Sequence, residues 1–286
     1  MLPPEGYQKT QKGEACTSES EIISVKQFLD SAFTIKDLGY AKYFTGLEIA
    51  RSSTGTYINQ RKYALDILKD AGLLGVKPAQ TPLPKGLKFS DNSHALPDPD
   101  RYRRLIGRLL YLSLTRPDLS YATQHLSQFV SSPTQDHWNA AVHLLKYLKG
   151  CPSKDLFFSS SNTFDLQAYC DADWASCPQT RKSLTGYCMY LSSSLISWKT
   201  KKQTTVSRSS AEAEYRSLAT TICEVQWISY ILADFRIPLQ LPIPLWCDNQ
   251  AALHITANPV FHECTKHLEI DCHLVMDKFK QGFVKP

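Results

Sequence analysis

The hydrophobic period of the sequence changes at about residue 155 from the period of a helix to that of a strand. Over residues 164–171 apolar and polar side chains alternate, so that Cys170 belongs to the apolar series and Asp171 to the polar one. Successive side chains of a strand point to opposite faces of a sheet. The alternation therefore predicts a half-buried strand, with Asp171 on its polar face as the last residue.

The remainder of the second half continues this mixture of strands and helices. Further strands are predicted over residues 184–192, 194–199 and 243–248. Helices are predicted over residues 208–222, 223–235, 249–257 and about 265–280. This order of elements favours an α/β (α+β) domain, in which helices flank a mixed sheet.

The first half of the sequence is largely helical and contains one hairpin. Helices are predicted over residues 22–33 and 62–71, and on apolar stripes that begin at Tyr102, Leu119 and Trp138. The turn sequence Ser52-Ser-Thr-Gly joins predicted strands at about Tyr40–Ala50 and Thr56–Gln60. Residues 76–99 are rich in proline and lack periodicity, so we interpret them as a linker.

Composition limits the classes of protein to which the chain can belong. Of its 286 residues 43% are hydrophobic and 21% are charged, which allows a sizeable core and excludes a disordered tail. The formal charge of +5 is compatible with a polyanionic partner but does not require one. The nine cysteines have no regular spacing, so reduced thiols are expected. Because neither a secretory signal nor a membrane-length apolar run is visible, we expect a soluble cytoplasmic or nuclear protein.

Three acidic residues stand where a metal site could form. Asp171 and Asp248 end predicted strands, and Glu214 lies on the helix between them. Hard divalent ions prefer oxygen ligands, and two ions about 3.5–4 Å apart can hold the attacking and leaving oxygens of a phosphodiester. The three carboxylates therefore predict a site for divalent cations.

Each of these acids also has a simpler interpretation. Asp171 could be a solvated residue at a strand end, equivalent to Asp173. Helical geometry does not distinguish Glu214 from Glu212, because the two flank the apolar stripe at similar angles. Asp248 precedes a helix start and could serve as its N-cap.

Short motifs, in the right order, carry a family resemblance that covers nearly the whole chain. They are Phe33-Thr-Ile-Lys-Asp-Leu-Gly, Gln60-Arg-Lys-Tyr, Tyr111-Leu-Ser-Leu-Thr-Arg-Pro-Asp-Leu, Leu145-Lys-Tyr-Leu-Lys-Gly, Asp171-Ala-Asp-Trp-Ala, Leu195-Ile-Ser-Trp-Lys and Ser209-Ser-Ala-Glu-Ala-Glu-Tyr. The chain resembles the C-terminal part of the Pol polyprotein of copia-type LTR retrotransposons, which comprises the end of the reverse transcriptase, the connection region and RNase H.

The resemblance implies a division of the chain into five segments. They are a disordered polymerase remnant at 1–20, a reverse transcriptase tail at 21–75, a linker at 76–99, a helical connection region at 100–154 and an RNase H-like domain at 155–286, truncated at its C-terminus. The expected architecture is therefore an RNase H-like mixed sheet with flanking helices, preceded by a helical and hairpin remnant of the reverse transcriptase.

The resemblance also implies an activity, hydrolysis of the RNA strand of RNA–DNA hybrids with Mg²⁺ or Mn²⁺. Asp171, Glu214 and Asp248 match the family's catalytic and metal-binding carboxylates, and the choice of Glu214 rests on the family's Ala-Glu-Tyr pattern. A fourth family carboxylate follows the final strand. Because the sequence stops at Gly282-Phe-Val-Lys-Pro, we expect that ligand to be missing. The alternative is a catalytically inactive remnant that at most binds nucleic acid.

Polymerase activity is not expected. In the family, a segment such as Pro3-Pro-Glu-Gly-Tyr precedes a long palm that includes a Tyr-Val-Asp-Asp loop with metal ligands. Here residues 1–20 run directly into Glu21-Ile-Ile-Ser-Val-Lys, and the sequence contains no Asp-Asp pair. Two-metal nucleotidyl transfer needs those carboxylates. An internal deletion, or splicing of a transposon fragment, would produce this junction between residues 1–20 and Glu21.

The sequence contains two weaker patterns. Arg101-Tyr-Arg-Arg and Trp198-Lys-Thr-Lys-Lys interleave basic and aromatic residues, as a nucleic-acid groove does, although such runs are more often solvated faces. A second group combines metal-ligating residue types at His262, Cys264, His267, Cys272 and His273. Its spacing matches no paired zinc-ligand pattern, so helix and core positions are the simpler interpretation.

Overall fold

The computed structural model describes residues 19–90, 92–257 and 269–285. The chain divides into two compact units, Met1–Lys42 and Tyr43–Pro286.

Helix α1 (Glu19–Phe33) is the one regular element in the described part of the first unit. It confirms the helix predicted over residues 22–33, and none of its residues is buried. An ion pair of 2.8 Å joins Lys26 in the helix to Asp37 in the segment that follows. Of the predicted disordered stretch 1–20, the last two residues begin this helix, and the others lie outside the described residues.

The second unit begins with an antiparallel sheet of four strands. These are β1 (Tyr43–Phe44), β2 (Leu47–Ser52), β3 (Gly55–Asn59) and β4 (Leu156–Ser159), paired in that order. The predicted hairpin is confirmed, but the single strand predicted over Tyr40–Ala50 is wrong. Thr45 and Gly46 adopt φ angles of 47° and 87°, which a continuous strand cannot contain, so the chain turns between β1 and β2.

Strand β4 reaches this sheet through a close backbone approach. It pairs with β3 so that Ser159 lies opposite Gly55. A Cβ atom on Gly55 would lie 2.2 Å from the carbonyl oxygen of Phe158, so the approach requires glycine. The first strand of the predicted segment 155–286 thus belongs to the hairpin sheet, and the boundaries of the five predicted segments stay predictions.

Helices occupy the region between β3 and β4. They are α2 (Arg61–Asp70), α3 (Pro99–Leu112), a 3₁₀ turn (Pro117–Leu119), α4 (Ser120–Ser127) and α5 (Gln135–Gly150). They confirm the helices predicted from the apolar stripes and enclose one core, with Tyr102, Leu109 and Leu145 among its fully buried members. The described residues of the proline-rich stretch between α2 and α3 form no helix or strand beyond an isolated bridge.

A buried ion pair lies beneath the 3₁₀ turn. Arg116 is 1% exposed, and its guanidinium donates two hydrogen bonds to the carboxylate of Asp118, at 2.9 and 2.8 Å. The same guanidinium donates to the carbonyl oxygen of Cys151 at 2.8 Å, and the hydroxyl of Tyr147 donates to Asp118 at 2.8 Å. This network connects the 3₁₀ turn to α5 and its C-terminal end.

The second sheet is mixed and has five strands. These are β5 (Leu166–Asp173), β6 (Leu184–Leu191), β7 (Ser194–Lys202), β8 (Ile243–Trp246) and β9 (Val284–Lys285). Their order is β7-β6-β5-β8-β9, with antiparallel pairing from β7 to β5 and parallel pairing from β5 to β9. The α+β class and the predicted mixed sheet are confirmed.

Three helices flank this sheet. They are α6 (Ser210–Asp234), α7 (Gln250–Ala257) and α8 (Glu269–Lys280). Helix α6 packs on β5 and β6, and buried residues of all three helices share one core with the sheet. The apolar series of β5, which includes Ala168 and Cys170, faces this core, as the alternation predicts.

Several predictions in this region are wrong. Strand β8 ends at Trp246 rather than at Asp248, so Asp248 follows the strand, and β7 extends to Lys202 rather than to residue 199. The two helices predicted over 208–222 and 223–235 form a single helix, because Val225, Ile228 and Leu232 continue its buried stripe. Strand β5 also ends at Asp173 rather than at Asp171, since pairing with β6 extends to that residue.

The described cysteines all have free thiols. In the part of the chain that the structure describes, no helix has both the length and the apolar character needed to cross a bilayer.

Candidate metal centre

The second sheet brings two Cys-Asp pairs side by side. Strands β5 and β8 are parallel neighbours, with Ala168 opposite Leu245 and Tyr169 opposite Trp246. Both strands then continue with cysteine followed by aspartate, so the same register leads to Asp171 on one strand and Asp248 after the other. Both aspartates are exposed. This edge is the carboxyl end of parallel strands, where α/β sheets commonly bind ligands.

Helix α6 supplies the third acid to this edge. Glu214 is 5% exposed, and its Oε1 accepts a hydrogen bond of 3.1 Å from the backbone N–H of Ala172, next to Asp171. The hydroxyl of Ser217, one turn further along the helix, donates to the carbonyl oxygen of Asp171 at 2.8 Å. The helix is therefore fixed against the end of β5 by two hydrogen bonds that flank the site.

The structure separates Glu214 from Glu212, which helical geometry alone could not do. Glu212 is equally buried, but it accepts a hydrogen bond of 2.7 Å from the backbone N–H of Arg208 and forms an ion pair of 2.9 Å with Arg216. Glu212 thus binds the backbone just before α6, whose N-cap is Ser209, and is neutralised locally. Glu214 is the helix acid that lies beside the strand ends.

The N-cap interpretation of Asp248 is wrong. The side chain of Asn249 accepts a hydrogen bond of 3.0 Å from the backbone N–H of Ala252 in the first turn of α7. Asn249 therefore performs the capping role, and the carboxylate of Asp248 is available for another one.

Two of the three predicted acids form a compact group of potential metal ligands with a cysteine. One ligand atom each from Glu214, Cys247 and Asp248 lies within 4.8 Å of the others. Asp171 does not belong to this group, although its charge acts on Glu214. Sequence reasoning missed Cys247, and the signal that could have identified it is the repeated Cys-Asp dipeptide at the ends of both strands.

The electrostatics of the site favour a cation. Burial raises the pKa of Glu214 to about 8, and the charges of Cys247, Asp171 and Asp248 act in the same direction, against the hydrogen bond from Ala172. Burial also raises the pKa of Asp173, with a further contribution from Asp171. Among the residues that the structure describes, no salt bridge reaches Asp171, Glu214 or Asp248.

The two cysteines of the repeated dipeptide are in contact. The hydrogen bond with Cys170 lowers the pKa of the Cys247 thiol to about 7, although burial opposes this change. The pKa of Cys170 is raised by the same hydrogen bond and by burial. The thiol of Cys247 also approaches Glu214, with its Sγ atom 3.9 Å from Oε2.

The chain is similar along most of its length to retroelement proteins. It is 42% identical over 270 residues to the retrovirus-related Pol polyprotein from transposon RE2 of Arabidopsis thaliana, a match that covers 93% of this chain and 18% of that protein. It is 32% identical over 266 residues to the polyprotein from transposon TNT 1-94 of Nicotiana tabacum, a match that covers 90% of this chain and 20% of that protein. It is 44% identical over 201 residues to an uncharacterized mitochondrial protein of Arabidopsis thaliana, a match that covers 70% of this chain and 84% of that protein. The chain belongs to the Pol polyprotein family of copia-type retrotransposons.

This Pol-family chain spans about a fifth of the length of the polyproteins that it matches, at 18% and 20%. No protein-family model and no solved structure matches it. The family resemblance stated from the motifs is confirmed.

Beside the acids, the Pol-family chain carries a row of aromatic side chains on the sheet face opposite α6. Tyr169 lies between Tyr190 and Trp246, with ring centroids 6.0 and 6.3 Å apart. Tyr169 and Trp246 are 40% and 51% exposed. A cavity of about 450 Å³ on this face includes Asp171 and Trp198 in its lining. The row therefore crosses strands β6, β5 and β8, and Asp171 lies two residues beyond Tyr169 on the same face.

The two basic segments behave differently. In the first, Arg103 donates to the carbonyl oxygens of Val130 and Ser131, and Arg101 lies over the ring of Trp138, so these side chains serve intramolecular contacts. In the second, Lys199 and Lys201 are exposed, and Lys199 lines the aromatic cavity.

Of the weak zinc pattern, three members lie outside the described residues. The other two are Cys272, which is buried in the core, and His273, which is exposed.

Proposed function

We propose that the five-stranded sheet and helices α6–α8 form a ribonuclease H that hydrolyses the RNA strand of RNA–DNA hybrids with Mg²⁺ or Mn²⁺. The observation that carries the proposal is the convergence of Asp171, Glu214 and Asp248 at the carboxyl ends of two parallel strands and on the helix that crosses them. The proposal does not include polymerase activity, because the sequence contains no Asp-Asp pair.

The donor set fits a hard divalent cation. Carboxylate oxygens are the ligands that Mg²⁺ and Mn²⁺ prefer, and the group that includes Glu214 and Asp248 has ligand atoms within 4.8 Å of one another. A bound ion of this kind activates water and neutralises charge that develops on the phosphate. The pKa of Glu214 supports the fit, since burial raises it first and the charges of Cys247, Asp171 and Asp248 raise it further.

The residues of the chain hold this arrangement before any ligand arrives. The backbone N–H of Ala172 orients the carboxylate of Glu214, and Ser217 fixes the backbone at Asp171. The exposed carboxylates of Asp171 and Asp248 are open to a large substrate, while Glu214 lies behind them. Such preorganisation lowers the cost of placing a phosphodiester against the site.

The aromatic row supports a nucleic-acid substrate. Exposed aromatic rings stack on bases and sugars of splayed or single strands. The row of Tyr190, Tyr169 and Trp246 ends on the same sheet face as Asp171, so a strand that lies along it would pass the carboxylates.

Asp171→Asn is expected to reduce cleavage of a labelled RNA–DNA hybrid in Mg²⁺ by about 100-fold, because it removes one carboxylate from the cation site. The matched control is Asp173→Asn, which changes an acid on the same strand and face that is not among the charges acting on Glu214. The control is expected to cleave at the wild-type rate. Chelation of Mg²⁺ is expected to stop cleavage by the wild type and by the control. Products are separated on a denaturing gel, and DNA–DNA and RNA–RNA duplexes test substrate choice.

The second candidate function is binding without catalysis. The aromatic row favours it, since stacking needs no metal. A folded wild-type protein that binds the hybrid but leaves its RNA strand intact in Mg²⁺ and in Mn²⁺ would refute the ribonuclease and support this remnant function.

A further inference from the structure

We propose that Cys247, Glu214 and Asp248 form a thiolate-containing site that binds Zn²⁺ or another soft divalent ion such as Cd²⁺. The site shares two carboxylates with the proposed ribonuclease centre. Binding of the soft ion does not depend on hydrolysis, so the inference holds whether or not the domain cuts RNA.

The spacing of the donor atoms carries the proposal. A tetrahedral Zn²⁺ ion with bonds of about 2.0–2.3 Å separates its ligand atoms by roughly 3.3–3.8 Å. The Sγ of Cys247 lies 3.9 Å from Oε2 of Glu214, and the group with Asp248 has no separation above 4.8 Å. Small rotations of the exposed Asp248 side chain would close the remaining difference.

The chemistry of the donors selects the ion. A thiolate and two carboxylates match Zn²⁺, which accepts sulfur and oxygen together, whereas Mg²⁺ takes oxygen ligands in octahedral geometry. The cysteine therefore gives this centre a preference that three carboxylates alone would not have. Soft ions would compete with Mg²⁺ for Glu214 and Asp248.

The surroundings allow the ion to enter and be held. Cys247 is half-buried and Asp248 is exposed, so the site opens to solvent on one side. On the buried side, Cys170 contacts Cys247 and has its Sγ atom 3.6 Å from the carbonyl oxygen of Trp246. This contact orients the Cys247 thiol from behind, as an outer partner of a metal ligand does.

The test is a titration of the reduced, metal-free full chain with Co²⁺, which substitutes for Zn²⁺ and gives a sulfur-to-cobalt charge-transfer absorption in the near ultraviolet. The wild type is expected to develop this absorption, and Zn²⁺ in slight excess is expected to remove it while millimolar Mg²⁺ does not. Cys247→Ser is expected to lose the absorption and to bind Co²⁺ at least tenfold more weakly.

The matched control is Cys223→Ser, which removes an exposed thiol from α6 away from the site and is expected to retain the absorption. Circular dichroism checks that each variant is folded, and Cys247→Asp provides a second variant that is expected to bind Co²⁺ without the sulfur band. A band that persists in Cys247→Ser, or no band in the folded wild type, would overturn the proposal. Inhibition of hybrid cleavage by Zn²⁺ rests on the proposed ribonuclease, but the cobalt spectrum does not, so the two proposals fail separately.

Discussion

Glu214→Gln is expected to lower Mg²⁺-dependent cleavage of an RNA–DNA hybrid by about 10³-fold, and at the same time to stabilise the metal-free protein at high pH. The loss of cleavage should exceed that of Asp171→Asn, because Glu214 belongs to the compact ligand group and Asp171 does not. Substitution of a residue that serves only the fold would lower both the stability of the protein and its activity. Opposite signs for the two effects therefore indicate a functional acid.

The sign of the stability effect follows from the pKa of Glu214. Its pKa in the folded chain is about 8, above the ordinary value of 4.5, so the folded state holds a proton that the unfolded state releases. The contribution of this proton to stability is complete below about pH 4.5 and is lost as the pH rises through 8. Glutamine keeps the neutral form at every pH. The variant should therefore match the wild type near pH 4.5 and exceed its free energy of unfolding by roughly 5 kcal/mol at pH 9.

Chemical unfolding in a chelating buffer, followed from pH 4.5 to pH 9, measures this difference. Glu212→Gln is the matched control on the same helix, since Glu212 is equally buried but paired with Arg216 and the start of α6. The control should be destabilised at neutral pH, opposite to Glu214→Gln. Added Mg²⁺ should stabilise the wild type and have little effect on Glu214→Gln. A Glu214→Gln protein that is less stable than the wild type at pH 9 without metal would contradict the prediction.

The local pattern of the sequence was sufficient to predict most elements of the fold. Alternation placed Asp171 on the polar face of its strand, and the apolar stripes located the helices, because both signals depend on near neighbours. The break at Thr45 and Gly46 was missed since Thr45 is not a residue that ordinarily takes positive φ. The continuity of α6 was missed although Val225, Ile228 and Leu232 continue its apolar stripe, since a continuous stripe is also compatible with two helices that meet end to end.

The candidate site was less predictable, because its contacts join distant parts of the chain. The acids themselves were identified from strand ends and from the family motifs. The distinction between Glu214 and Glu212 depended on which carboxylate meets the N–H of Ala172 and which meets Arg216. The contact of Cys170 with Cys247 depended on the parallel register of β5 and β8. None of these features has a periodicity that a single sequence displays.

Arg116→Met is expected to lower the free energy of unfolding by about 3–5 kcal/mol. Oδ1 of Asp118 and the carbonyl oxygen of Cys151 would lose their donors, and the half-buried carboxylate would keep only the hydroxyl of Tyr147 and the ammonium of Lys154 at 3.7 Å. Burial by itself raises the pKa of Asp118, and the hydrogen bonds and charge of Arg116 hold that pKa below its usual value. Denaturant unfolding at neutral pH measures the change. Arg108→Met is the matched control, because its ion pair with Asp70 is largely exposed, and it should cost at most about 1 kcal/mol.

The double variant Arg116→Met with Asp118→Leu decides whether the cost of the single variant comes from an unpaired charge. Replacing a buried ion pair by apolar residues of similar volume is often close to neutral, whereas removing one partner is not. The double variant should therefore be more stable than Arg116→Met alone, although the hydroxyl of Tyr147 loses its acceptor. If both variants were destabilised equally, the cost would come from packing around the 3₁₀ turn.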